Sequence, residues 1–110
     1  MKDQTTPPAV GDPSPWGTID HVEQTKVDGC VFVGTSSHGG YWVSPALLPK
    51  IPEGWQRFAA ACAHGMGSQW YEEDCAGLAV GAYILEHPRA LEDLPRAESH
   101  LFGSEYQVDR

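Results

Sequence analysis

Positive charge is scarce in this chain. Seven Lys and Arg face fifteen Asp and Glu over 110 residues, a formal net charge of −8. Proteins that bind nucleic-acid phosphates release counterions through Lys and Arg, so direct binding of that kind is disfavoured. Cysteine is scarce too. Cys30, Cys62 and Cys75 are odd in number, scattered and without a CxxC pair, which excludes a disulfide scaffold and fits a reduced, cytoplasmic setting. No run of about 18 apolar residues could span a membrane. The start, Met1 to Pro8, has no apolar core of the secretory kind.

Chemical signatures are also missing. There is no HExxH, zinc-finger spacing, P-loop, GxGxxG or GxSxG. Cys62, His64, Cys75 and His87, or His21 with His38, match no metal-site spacing, so no metal and no cofactor is expected. Ser36, Ser37 and His38 are neighbours in sequence, which is not triad geometry. Cys75 follows three acids that raise its pKa and blunt it as a nucleophile, and Cys62 with His64 is too thin a pairing.

What is present is glycine and proline, twelve and nine of them, which predict short elements and many turns. The length allows one domain. Residues 1–15 hold four prolines and read as a disordered lead-in. Residues 16–94 read as the domain, anchored from Trp16-Gly17 onward, and residues 95–110 as a loosely docked tail or, alternatively, one that forms an edge strand at Glu105–Val108.

The chain is organised around Val31 to Pro45. Val31 and Val33 alternate with Phe32 as strand residues do. Gly39-Gly40 can take positive φ at a reversal, and Tyr41, Trp42 and Val43 read as the return strand. Asp28-Gly29 is a second hairpin signal, preceded by a strand over Thr18–Thr25. Three antiparallel strands follow: Thr18–Thr25, Cys30–Thr35 and Tyr41–Ser44. Ser44-Pro45 begins a helical turn that Pro49 stops. Trp55, Phe58, Ala59 and Cys62 share one face of a helix ended at His64-Gly65. A longer helix begins at Ser68 or Tyr71, with Glu72, Glu73 and Asp74 at its positive end. It is apolar nearly all round from Cys75 to Leu85, and Gly77 and Gly81 allow close approach, with the sheet as neighbour. Arg89 to Leu94 adds one amphipathic turn. The fold class is α+β, a three-stranded meander covered by one long and one or two short helices.

Nine of the fifteen acids fall at or after Glu72, against three Arg in the same span. That skew favours a basic partner surface. His38 beside one of Glu72, Glu73 or Asp74 would instead make an acid–base pair. Candidate partner-binding residues are His38, Tyr41, Trp70, Glu72, Glu73 and Asp74. Trp42 or Trp55, if exposed, would serve as the anchor of an accessory subunit.

Three spaced motifs, Pro15-Trp16-Gly17, Ser37-His38-Gly39-Gly40 and Trp70-Tyr71-Glu72-Glu73-Asp74, resemble an uncharacterised domain family of proteobacterial, plasmid and phage-associated proteins. The resemblance covers roughly Pro15 to Leu85. It transfers no activity, and its mobile-element setting implies counter-defence or plasmid maintenance. The expected function is therefore an acidic protein-binding module. Its narrower form is a mobile-element inhibitor of a nucleic-acid-handling defence complex, such as an anti-CRISPR. The alternative is a small enzyme using His38 with Glu72, Glu73 or Asp74.

Overall fold

The computed structural model describes residues 4–106. Strands β1 (Pro13–Ser14) and β2 (Gly17–Thr18) pair as a small antiparallel hairpin. The main sheet holds β3 (His21–Gln24), β4 (Cys30–Gly34), β5 (Gly39–Val43) and β6 (Trp70–Glu72), antiparallel and in that order. Helix α1 (Glu53–Ala61) precedes β6. A three-residue α2 (Gly77–Ala79) runs into a π-helical segment, Val80–Ile84, and then comes α3 (Pro88–Phe102).

The α+β class and the three strands in succession agree with the sequence, but the sheet has a fourth strand. Trp70-Tyr71-Glu72 is not a helix start. These β-prone side chains pair with Gly40, Tyr41 and Trp42, and alternation sends Trp70 and Tyr71 to opposite faces. Trp70 is 3% exposed and Tyr71 fully buried. The three acids thus leave a strand end, with no long helix behind them.

Both sheet faces are covered. Val31, Val33, Trp42 and Trp70 pack with Ile19 and Ala63 on one face. Trp16 seals that side, its ring edge-on to Trp70 at 6.0 Å. Cys30, Val43 and Tyr71 face the helices on the other, meeting Trp55, Ala59, Val80 and Leu94. The expected lead-in contributes from Gln4 onward. The buried Gln69 side chain accepts from the Gln4 N–H at 2.8 Å and donates to the Gln4 carbonyl at 2.7 Å and the Val43 carbonyl at 3.0 Å. Residues 1–3 of that lead-in lie outside the described residues.

Asp28-Gly29 turns as expected, with Gly29 at φ 87°. Gly39-Gly40 does not. The reversal is Thr35–His38, and both glycines lie inside β5. Gly40 is there for room: a Cβ would stand 2.4 Å from the Trp16 ring and 2.5 Å from the Tyr71 carbonyl oxygen. The turn after Ser44 runs on as a 3-10 turn, Leu48–Lys50, with Pro49 near its start rather than ending it. In α1, Trp55 and Ala59 are buried, but Cys62 caps the helix and is exposed.

The apolar stretch from Leu78 to Leu85 is helical and mostly buried, as two pieces rather than one long helix. Gly77 approaches the sheet, where a Cβ would be 2.8 Å from the Glu72 carbonyl oxygen. The neighbour of Gly81 is instead Ala90 of α3.

The longest helix is α3, where a single turn to Leu94 is expected from sequence. Pro95 sits inside it. Proline removes one backbone hydrogen bond, at about 3 kcal/mol in a helix interior. Burial of Ala90, Leu94 and Glu98 holds the helix through it. Trp55 Nε1 donates to Glu98 at 2.9 Å, Tyr83 donates to the same carboxylate, and the Trp55 and Phe102 rings meet edge-on at 5.2 Å. Of the expected strand at Glu105–Val108, Glu105 lies in a turn and residues 107 and 108 lie outside the described residues.

Candidate functional site

The tip between β4 and β5 is built by Thr35. Its hydroxyl donates to the His38 carbonyl at 2.8 Å and accepts from the His38 N–H at 3.1 Å. The backbone closes the same loop, Thr35 N–H to His38 carbonyl at 2.8 Å. Ser37 ties the tip to the Trp16 carbonyl at 3.2 Å. Gly40 pairs with Glu72 across β5 and β6, which carries that carboxylate toward the tip. His38 Nδ1 lies 3.6 Å from Glu72 Oε2. That is ion-pair range and too long for a hydrogen bond. Both side chains meet solvent, 55% and 30% exposed.

Glu73 and Asp74 part from Glu72. The Glu73 N–H donates to the Gly39 carbonyl at 3.0 Å, extending the β5–β6 ladder by one bond. The chain then turns, and Glu73 and Asp74 are exposed on the helical side. There they border a groove between that turn, the Gly77–Leu85 segment and α3. Its hollows include two of about 390 and 400 Å³, and Leu78 and Asp93 line both. Tyr41, Leu85 and Arg89 lie at one end; Ala97 and Leu101 lie toward the other. Arg89 Nε stands 3.7 Å from Asp93 Oδ2, one helical turn apart. Tyr41 is half-buried, its phenol pushed up by burial first and then by the charges of Cys30, Glu73 and Glu23.

The structure therefore splits the expected site. His38 and Glu72 meet at the tip, and Tyr41, Glu73 and Asp74 border the groove. Trp70, read from sequence as a contact residue, is core. Trp42 and Trp55 are fully buried, so neither is the exposed anchor of an accessory subunit. His38 lines neither hollow. Among the described residues, no group of three His, Cys, Asp or Glu is placed to hold a metal ion. Burial, then the Cys62, Glu72 and Asp74 charges, push the Cys75 thiol up. Leu78, Asp93 and Ala97 are groove residues missed by sequence reasoning. For the two on α3, Asp93 and Ala97, the spacing of Ala90, Leu94, Ala97 and Leu101 carries the helical signal, and Pro95 masks it.

The family described as Domain of unknown function (DUF7007) matches residues 9–104. The match runs past both ends of the resemblance carried by the motifs, taking in β1 and all of α3. No curated protein and no solved structure matches the chain.

Proposed function

The chain belongs to the DUF7007 family, and we propose that it is a binding module whose acidic surface engages a basic site on a partner protein. One observation carries the reading: Glu73 and Asp74 stand exposed at the rim of an open groove, with Asp93 facing the same hollow. Exposed carboxylates of this kind steer and orient a basic partner more than they add raw affinity. Exposed pairs are screened by salt, with a Debye length of about 10 Å at 0.1 M. A partner captured from the native host should bind with affinity that falls steeply as salt rises. Affinity flat from low to high ionic strength would sink the reading.

The narrower form is a mobile-element inhibitor that lays these acids in the phosphate-binding groove of a nucleic-acid-handling defence complex, as an anti-CRISPR does. Its support is the motif resemblance and the acid run. The purified chain should then compete with nucleic acid for such a complex, and nucleic-acid binding untouched by excess chain would count against it.

The acid–base reading keeps one observation in its favour, the 3.6 Å approach of His38 to Glu72. Against it stand the open tip and a separation beyond hydrogen bonding, where a working pair needs a positioned proton path and water excluded around substrate.

A further inference from the structure

We infer that the hollow between the turn after β6 and α3 seats a lysine or arginine side chain of the partner, with its backbone laid along the groove. The inference rests on the binding reading and names its anchor. The hollow has three carboxylates from two separate elements, Glu73 and Asp74 from the turn and Asp93 from α3. Its apolar lining includes Leu78, Ala97 and Leu101. Among the described residues no Lys or Arg lines this hollow, and the other titratable ones that do are His100 and Cys75.

That combination selects the ligand. Long cationic side chains lay an aliphatic stem on apolar surface and keep the charged head at the wet end. Here Leu78, Ala97 and Leu101 suit the stem, and Glu73, Asp74 and Asp93 suit the head. A bare metal ion needs several oxygens converging at about 2.0–2.6 Å. Among the described residues no such group is placed. An anionic or purely apolar guest would desolvate these carboxylates without pairing them.

The groove also favours a side chain on a chain over a free cation. It runs on from this hollow to Arg89 near the start of α3, and a further hollow beside it is bordered by Arg96. At 1.5 Å per helical residue, Arg89 to Leu101 spans on the order of 18 Å, enough for about five extended residues. Leu101 is 38% exposed, so apolar surface is open at the far end. Arg89, already beside Asp93, and Arg96 stand next to the hollow and would repel a second cation there, which sets one basic anchor rather than a run of them.

The test is an NMR titration of the isotope-labelled 110-residue chain at low salt. The probe is a blocked five-residue peptide with one central Lys flanked by Leu; its Glu-centred twin and free lysine are the comparison arms. The Lys peptide should shift the amides of Glu73, Leu78, Asp93 and Ala97, and the twin should not. Asp93→Lys should weaken binding by about tenfold or more. Asp93→Asn, at an exposed position that leaves the fold intact, should weaken it less, and Glu72→Lys should change it by less than about twofold. Free lysine shifting the same amides as tightly as the peptide would overturn the docked-chain proposal. Shifts confined to the His38 tip or to β3 would overturn the hollow while leaving the acidic-module reading standing. No shift with any arm would overturn both.

Discussion

Glu72 and Glu73 are neighbours in sequence and serve different surfaces. Glu72 ends β6, paired across from Gly40, and its carboxylate reaches the His38 tip. Glu73 extends the ladder by one bond to Gly39 and turns its side chain into the groove beside α3. The tip is a four-residue loop that Thr35 closes onto His38 and that Thr35 and Ser37 tie to the Trp16 carbonyl. The groove is formed where the turn after β6, the Gly77–Leu85 segment and α3 fold on one another, with Tyr41 of β5 at one end, and it stands only while α3 stays docked. A run of three acids is therefore not one patch. A strand end divides it, because successive side chains leave a strand on opposite faces.

The largest effect should come from breaking the groove and sparing the tip. Leu94 is 1% exposed beneath α3. Leu94→Ala should destabilise by about 2–5 kcal/mol, the usual range for a buried leucine. Urea unfolding followed by tryptophan fluorescence would measure it, with Thr35 and His38 amide shifts little changed below the transition. A loss below about 1 kcal/mol would mean that α3 does not hold the groove.

Gly40→Ala should disturb both surfaces at once, since a Cβ there meets the Trp16 ring and the Tyr71 carbonyl at the β5–β6 junction. Overpacking of this kind costs about 1–3 kcal/mol. Amide shifts at Glu72 and at Glu73 should move together. Movement at one alone would mean that the two are less coupled than the ladder implies.

Charge reversal separates the surfaces by function. Glu73→Lys should lower affinity for a basic partner by about tenfold, roughly 1.4 kcal/mol, while Glu72→Lys leaves it nearly unchanged. Equal losses from both would merge tip and groove into one contact.

The smallest effect is chemical. Burial and nearby negative charge push the Cys75 thiol up, and Cys30 is fully buried with its thiol also pushed up, while Cys62 is exposed. Raised thiols hold less thiolate near neutral pH and alkylate slowly. Mass spectrometry after brief alkylation should find Cys62 modified first, Cys75 next and Cys30 last, with Cys75 catching up as pH rises past the thiol range. The sign for stability follows from linkage. Tyr71 is buried and its phenol is pushed well up, so the folded state holds its proton longer than the unfolded chain does. That stability is intact below the tyrosine range of about 10 and falls as pH rises above it.

Much of this architecture can be read from local pattern. Alternation in Val31–Val33, the Asp28-Gly29 turn, the α1 face at Trp55 and Ala59, and the burial of Val80, Ala82 and Ile84 all follow from side-chain period and turn chemistry. Trp70-Tyr71-Glu72 misleads, because three residues before an apolar run fit a helix start as well as a strand. Pairing with Gly40–Trp42 decides between them, and that partner lies some thirty residues away. Pro95 misleads in the opposite direction. Local rules end the helix there, while Leu94 and Glu98, packed against α1 and the π-helical segment, carry it on.

From its residues alone, the chain determined its α+β class, its three successive strands, its acidic surplus and the carboxylates at positions 72–74. Those features depend on local period, turn chemistry and charge, which need no knowledge of neighbours in space. Tertiary structure alone decided that a fourth strand forms, that α3 passes through a proline, and that Asp93 comes to line the same hollow as Glu73 and Leu78. Each of these is settled by burial against a distant segment, a free energy that does not exist until the chain has closed on itself.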